Sequence, residues 1–288
     1  MTINGNTKLA CLIGHPVEHS FSPYIQNYLA KKAGLDMCYM CFDVEEEEVG
    51  AAVKGIKALG ILGSNVTIPY KIKVMPHLDE IDKNAAIIGA VNTIKNQGGK
   101  LVGYNTDGVG FVNSVLESGH ALEGKRIIVL GAGGASRAVV VELAAAKVAS
   151  ISIRNNTLEK AEELGQQITT HFKGVKVSTG ALALTNEDLA EADVLINTTP
   201  LGMSKQKDLC PIDEQLIPPA HLVVCDIVYN PHDTKLLLWA KAHGLAVVHG
   251  IGMLINQAVH SFYLWTGKEI DAYDEILALL KKQGVIKD

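Results

Sequence analysis

The sequence predicts an α/β protein of two domains, and three observations carry that expectation. Short apolar strands alternate with helical segments along most of the 288 residues, the order that builds a parallel sheet with helices packed on its faces. A glycine loop, Gly131-Ala-Gly-Gly-Ala-Ser136, stands between the apolar run Arg126-Ile-Ile-Val-Leu130 and a helical stretch, the context a dinucleotide loop requires. Ahead of that loop a hairpin pattern at 90–105 breaks the alternation, with Ala-Val-Asn-Thr-Ile and Lys-Leu-Val-Gly-Tyr flanking a turn at Asn96-Gln-Gly-Gly99. The expected layout is an N-terminal α/β substrate domain over 1–104 and a Rossmann-type doubly wound parallel sheet over 105–249. Helices over 250–288 are expected to pack back on the substrate domain.

Residues 8–14 read as the first strand. His19-Ser-Phe-Ser-Pro23 then opens a helix, with Ser22 as N-cap, Pro23 at the first helical position and Gly34 as the stop. A strand at 38–44, a helix at 46–58, a strand at 61–67 and a helix after Pro69 follow. Past the hairpin, a helix over 105–120 leads into the second domain, and Gly124-Lys125 punctuates the chain before the strand at 126–130. A helix at 136–146, strand at 150–154, helix at 157–171 and strand at 174–178 continue the alternation. Strands at 192–197 and 221–226, a helix at 233–243 and a strand at 245–248 complete it.

With 48% hydrophobic and 20% charged residues, the composition is that of an ordinary soluble globular protein. A formal net charge of −5 without clustered Lys and Arg gives no footprint for nucleic acid. No apolar run approaches the ~20 residues a membrane span needs. The opening MTINGNTK has neither the charged nor the apolar region of a signal peptide, so a cytoplasmic protein is expected. Five cysteines, at 11, 38, 41, 210 and 225, do not make a disulfide framework. Cys38-Tyr-Met-Cys41 has redox or zinc spacing, but in a strand the two thiols face opposite ways. A redox pair normally opens a helix, and no second pair completes a zinc site. Both are expected to be buried structural residues, and no metal is expected.

In the glycine loop Gly131 permits the tight turn, and Gly133 lets backbone amides approach a pyrophosphate. Ala132, Gly134 and Ala135 complete a loop that opens a helix, whose free N–H groups and dipole favour an anion. Ser136 takes the third glycine position as a small residue. The next strand ends Ile153-Arg-Asn-Asn-Thr157, with no carboxylate before Glu159. The acid that clamps the ribose 2′-hydroxyl in NAD sites is therefore absent. Arg154 and Lys160 instead offer positive charge to a 2′-phosphate, or are plain solvated side chains. NADP is the expected cofactor, with NAD also accepted, and Arg154 and Asn155 are the candidate contacts at its adenosine end.

In the first domain Lys71 stands at a strand mouth, where α/β sheets bind ligands. Asp107 follows the hairpin between Asn105 and Gly108. Either alone reads as readily as a surface charge. Ser20 and Ser22 flank a helix start, where hydroxyls and free amides receive a carboxylate or simply cap the helix. Gln257 sits among apolar helical neighbours.

The set is more telling than its members. HSFSP, NVTIPYK, GAVNT, GYNTDG, GAGGASRA, NTTPLGM, YNP and GIGMLINQ occur in that order, from about residue 9 to 280. Together they resemble the shikimate dehydrogenase family, including its quinate/shikimate relatives. The resemblance implies a two-domain oxidoreductase of aromatic amino acid biosynthesis, a monomer or homodimer. Its reaction would be reversible oxidation of the 3-hydroxyl of the small molecule shikimate to 3-dehydroshikimate. It implies that Lys71 and Asp107 form the catalytic pair and that Ser20 and Ser22 hold the substrate carboxylate. Asn65, Thr67, Asn92, Tyr229 and Gln257 would line the substrate pocket, with Met253 and the Thr199 loop at the nicotinamide end. Hydride transfer from a secondary alcohol needs a base for the hydroxyl proton and a dry, fixed geometry. A lysine and an aspartate expected to meet at the mouth of the first sheet would supply the base, with the proton acceptor left open between them.

One departure concerns the cofactor. NADP-using members carry Asn-Arg-Thr where this chain has Asn155-Asn-Thr157, and its arginine stands two residues earlier. The alternative within the family is a quinate or dual quinate/shikimate dehydrogenase, in which the second serine is often threonine; Ser22 favours shikimate. Methylenetetrahydrofolate dehydrogenase/cyclohydrolase shares the two-domain plan and a catalytic lysine, but does not require these runs together. A dinucleotide-binding regulator would not require Lys71 and Asp107.

Overall fold

The computed structural model describes residues 3–285. The chain forms two compact units, one running to Thr106 and including Gln257–Lys282, the other comprising Asp107–Asn256.

The first unit contains β1 (Lys8–Gly14), α1 (Ser22–Lys32), β2 (Met37–Asp43), α2 (Val49–Ala58), β3 (Gly63–Val66), β4 (Glu80–Ile81), α3 (Lys83–Ile88), β5 (Thr93–Gln97) and β6 (Lys100–Tyr104). Its sheet has the order β2-β1-β3-β5-β6-β4. The neighbours β2, β1 and β3 are parallel, and β5 is antiparallel to both β3 and β6. The hairpin expected at 90–105 therefore makes this a mixed sheet. Asn65 pairs with Thr93, and Thr93 with Tyr104. By this register the ends of β1 and β3, the start of β5 and the end of β6 share one edge.

Three local expectations are revised. Phe21, not Ser22, occupies the N-cap of α1; Ser22 is the first helical residue, and its backbone N–H donates to Ser20 Oγ at 3.3 Å. Gly34, at φ 65°, ends the helix as expected. No α-helix follows Pro69; the chain makes turns and a short 3-10 segment, Met75–His77. A helix there would carry Pro76 in its interior, which costs about 3 kcal/mol or more. Instead α3 forms after Asp82, whose carboxylate caps the Asn84 and Ala85 N–H groups, and stops at Gly89 with φ 73°. Cys38 and Cys41 are free and half-buried rather than buried, because β2 is an edge strand of its sheet.

The second unit contains α4 (Asp107–Glu117), β7 (Arg126–Leu130), α5 (Gly134–Ala145), β8 (Ser150–Arg154), α6 (Leu158–His171), β9 (Lys176–Gly180), α7 (Asn186–Ala190), β10 (Val194–Asn197), β11 (Val223–Asp226), α8 (Lys235–Ala242) and β12 (Ala246–Val248). All its strand pairs are parallel, in the order β12-β11-β10-β7-β8-β9. Counted within the unit this is the 3-2-1-4-5-6 order of dinucleotide-binding sheets, with its switch point between β7 and β10. Leu130, Leu195, Val224, Leu236 and Trp239 lie in its core.

Helix α9 (Gly250–Thr266) begins in the second unit and ends in the first, followed by α10 (Tyr273–Lys282). Trp265 Nε1 donates to the Ile94 carbonyl at 2.9 Å, and Gln26 Nε2 donates to the Ala258 carbonyl at 2.9 Å. A Cβ at Gly63 would stand 2.2 Å from Trp265 Nε1. That glycine is the space that lets the indole reach the sheet.

Candidate active site

Asn65, Thr67 and Asn92 stand at the edge fixed by the strand register. Tyr70, 1% exposed, anchors the turn after β3 by donating its hydroxyl to the Val44 carbonyl at 2.6 Å. Its backbone N–H donates to the Thr67 carbonyl at 2.9 Å, and the Val91 N–H donates to the Lys71 carbonyl at 2.8 Å. Lys71 is thus seated on the segment that ends in Asn92. Thr67 packs where β1 has no side chain: a Cβ at Gly14 would lie 2.3 Å from Thr67 Cγ2.

Asn92, 3% exposed, holds the end of β6. Its Oδ1 accepts the Thr106 N–H at 2.8 Å, and its Nδ2 donates to Thr106 Oγ1 at 3.1 Å. Asn105 Nδ2 donates to the Ala90 carbonyl at 3.0 Å. Asp107 is the next residue after Thr106 and the first of α4, where a carboxylate is favoured by the helix dipole. Gly108 follows for a steric reason, since a Cβ there would lie 2.2 Å from the Ala138 carbonyl oxygen of α5.

Behind these residues runs a buried polar network. Tyr39 donates its hydroxyl to Asn65 Oδ1 at 2.7 Å. Asn65 Nδ2 lies 3.0 Å from both Thr93 Oγ1 and Ser261 Oγ. Ser261 Oγ lies 2.9 Å from Thr93 Oγ1 and donates to the Gln257 carbonyl at 2.9 Å. Burial drives the Tyr39 phenol well above its ordinary pKa, only partly offset by a hydrogen bond with Ser22, so it remains a neutral donor. Asn65 is thereby committed to packing the network. Tyr39, Thr93, Thr106 and Ser261 are the residues that sequence reasoning missed; the Asn-Thr pairs at 92–93 and 105–106 signal only the two threonines. Gln257 is half-buried beside Ser261.

In the second unit the parallel strands bring the remaining candidates to one C-terminal edge. Gly131 has φ 112°, and a Cβ there would lie 2.6 Å from Thr198 Oγ1, so only glycine fits. Ser136, fully buried, donates its hydroxyl to the Gly131 carbonyl at 2.6 Å and closes the loop. At Gly133 and Gly134 a Cβ would meet nothing within 4 Å. Gly133 is the N-cap of α5 and provides no side-chain cap. An open cradle with uncapped N–H groups at a helix N-terminus fits a pyrophosphate, with Ala132 and Ala135 as the small flanking residues.

Beside the loop, Asp226 knits the ends of β10 and β11 to the start of α8 at 1% exposure. Its carboxylate accepts from Asn197 Nδ2 at 3.0 Å, the Val228 N–H at 2.9 Å and the Thr234 hydroxyl at 2.7 Å. Burial pushes its pKa up to about 6 despite these donors. Asn197 Oδ1 in turn accepts the Thr199 N–H at 3.0 Å and hydroxyl at 2.7 Å. Thr199 is therefore fixed by its own turn. Tyr229 is half-buried, and burial raises its phenol pKa. Met253 is half-buried in the first turns of α9.

Arg154 differs from expectation. Its Nη2 lies 2.5 Å from Asp188 Oδ1 and its Nε donates to Ser152 Oγ at 3.0 Å. The cation expected to await a phosphate already has a carboxylate partner. Asp188 belongs to the capping box of α7 with Thr185, a T-x-x-D signal that was present in the sequence. Asn155 Nδ2 donates to the Thr157 carbonyl at 2.8 Å. Among the described residues no group of three or more His, Cys, Asp or Glu is arranged to hold a metal.

Three family descriptions match the chain: the shikimate dehydrogenase substrate binding domain over residues 12–94, shikimate/quinate 5-dehydrogenase over 112–205, and the shikimate 5′-dehydrogenase C-terminal domain over 250–281. A shikimate dehydrogenase (NADP(+)) of Methanococcus maripaludis is 45% identical over 272 residues, covering 94% of this chain and 96% of its own. A shikimate dehydrogenase crystallised with NADP+ superposes with a TM-score of 0.89 at 44% identity, covering 98% of this chain and 97% of its own. A shikimate 5-dehydrogenase of Listeria monocytogenes, in complex with shikimate and NAD, gives a TM-score of 0.91 at 33% identity, covering 96% of this chain and 98% of its own.

Proposed function

The chain belongs to the shikimate dehydrogenase family, and on that premise we propose that it oxidises the 3-hydroxyl of shikimate reversibly to 3-dehydroshikimate with NADP. What carries the reading is the second unit's strand order with its open glycine cradle, in a chain 45% identical to an NADP(+) enzyme of that name. NADP supplies a nicotinamide that accepts hydride from the substrate carbon. Gly131, Ala132, Gly133, Gly134 and Ala135 hold its pyrophosphate. Thr199 and Met253 serve its nicotinamide end, and Arg154 and Asn155 its adenosine end.

In the first unit, Ser20 and Ser22 bind the shikimate carboxylate as hydroxyl donors. Thr67, Asn92 and Gln257, with Tyr229 of the second unit, orient the ring hydroxyls, and Asn65 keeps the first-unit surface in place through its network. Lys71 and Asp107 share the 3-hydroxyl proton: one takes it as the carbon–hydrogen bond breaks, and the other holds the pair in register. Support comes from their backbone anchoring, Lys71 through Val91 and Asp107 through Thr106 and Asn92. Pre-set strand ends cost no ordering when substrate binds. We infer a role in aromatic amino acid biosynthesis, in the cytoplasm and as a monomer or homodimer.

The test is the absorbance of reduced cofactor with shikimate or quinate, each with NADP and NAD. Shikimate with NADP should give the highest kcat/KM. Turnover confined to quinate, or to neither substrate, would overturn the reading.

A further inference from the structure

The adenosine end of the cofactor site holds a feature that the shikimate dehydrogenase reading leaves unexplained. Arg154 ends β8, paired in register with Gly180 at the end of β9. A Cβ at Gly180 would lie 2.8 Å from Arg154 Nη1. The missing side chain is what lets the guanidinium lie back across β9, onto Ser152 and Asp188. Both Arg154 and Asp188 side chains are only 21% exposed, so water screens the pair less than it would at the surface. Asp188 is itself held, its Oδ2 accepting the Thr185 N–H at 2.9 Å. The charge at the end of the second strand is thus matched within the protein. Asn155, Asn156 and Thr157, which follow, bring no charge, and the next cation is the exposed Lys160 in the first turn of α6.

We propose that Asp188 sets the dinucleotide preference of this chain: by holding Arg154 in an ion pair it keeps the ribose 2′ position close to neutral, so that nucleotides with and without a 2′-phosphate both bind, the phosphorylated one modestly better. This rests on the second unit being the NADP site. The arginine contributes attraction and the aspartate an opposing repulsion, so the preference is the small difference of two larger effects. Removing the carboxylate releases the guanidinium to turn toward the strand end. Removing the arginine leaves a carboxylate facing a dianion.

Calorimetric binding of 2′,5′-ADP and of 5′-AMP to the full chain reads this without turnover. Asp188→Asn keeps an oxygen for the Thr185 N–H and should tighten 2′,5′-ADP by about five- to tenfold, the scale of one charge at about 4 Å in a water-like dielectric. Its 5′-AMP affinity should stay within about twofold, because 5′-AMP carries no charge at the ribose 2′ position for the pair to act on. Arg154→Gln should weaken 2′,5′-ADP by at least as much, again sparing 5′-AMP. Thr185→Ala breaks the α7 cap but leaves the pair, and should leave the ratio of the two affinities unchanged. The kcat/KM ratio of NADP to NAD with shikimate should follow the same order. An unchanged ratio in Asp188→Asn would overturn the proposal, as would an equal rise for both nucleotides or a matching change in Thr185→Ala. Failure of the wild type to turn over shikimate, with the binding ratios as expected, would sink the substrate reading and leave this one standing. Failure of the wild type to bind either nucleotide would sink both.

Discussion

At the residue scale the chemistry rests on a few side chains whose surroundings are set by neighbours far away in sequence. Lys71→Ala should cut kcat by on the order of 100-fold or more, with the shikimate KM within a few-fold, because a proton acceptor or its partner is lost while binding groups remain. Asp107→Asn should also lower kcat, and the double variant should fall short of additivity if the two act on one proton. A near-wild-type kcat in Lys71→Ala would remove it from the mechanism. Ser22→Ala should weaken shikimate binding by on the order of 1–3 kcal/mol through loss of a charge-assisted hydrogen bond. With Phe21 at the N-cap, helix capping is no longer an alternative explanation for a loss there. Asp226 makes a stability prediction. Its carboxyl is raised from the ordinary 3.8 to about 6, so the folded chain binds this proton more tightly than the unfolded chain. The group's stabilising contribution is full below about pH 4 and is lost as pH rises through about 6. Denaturant unfolding of wild type and Asp226→Asn between those limits should show the wild type losing on the order of 1–3 kcal/mol relative to the variant. Parallel stability curves would mean that the carboxyl titrates normally.

At the element scale, glycines separate packing from binding. Gly131→Ala meets both a φ of 112° and a Thr198 oxygen at 2.6 Å, so the loop must move. It should destabilise the chain by about 1–3 kcal/mol and lose cofactor affinity. At Gly133 nothing lies within 4 Å. Gly133→Ala should therefore leave the unfolding midpoint nearly unchanged while weakening dinucleotide binding by about tenfold or more, since the methyl occupies the space of the pyrophosphate. Equal midpoints for the two variants in a thermal scan would contradict this division. Element boundaries were legible where a short apolar run is bounded by polar residues or glycine, as in β1 and β7. The helix expected after Pro69 is excluded by Pro76, which would fall in its interior. Helices α3 and α7 are marked only by Asp82…Gly89 and Thr185-x-x-Asp188; five or six residues give too little periodicity to register as a helix.

At the scale of the whole molecule, each unit has its own apolar core and contains one of the chain's 2 tryptophans, Trp265 in the first and Trp239 in the second. Ligands that bind one unit stabilise it by mass action, and units with separate cores need not unfold together. In Trp239→Phe, fluorescence of Trp265 should report a transition that shikimate shifts upward more than 2′,5′-ADP does. In Trp265→Phe, Trp239 should show the reverse. Identical shifts from both reporters would show one cooperative unit in place of two.

The sequence by itself determined the α/β class, the cofactor loop, the hairpin at 90–105 and the identity of the acid–base candidates. The class, the loop and the hairpin are written in local periodicity and turn residues, and the acid–base candidates stand out only as members of the ordered set of motifs. Tertiary structure alone decided what surrounds them. Tyr39, Asn65, Thr93 and Ser261 share one hydrogen-bonded network although Ser261 lies 168 residues beyond Thr93. Arg154 is matched by Asp188, 34 residues away, and no local pattern signals that a surface cation has already found its anion. A hydrogen bond or an ion pair depends on distances of a few ångströms, and those are set by how strands are ordered in a sheet rather than by their order along the chain.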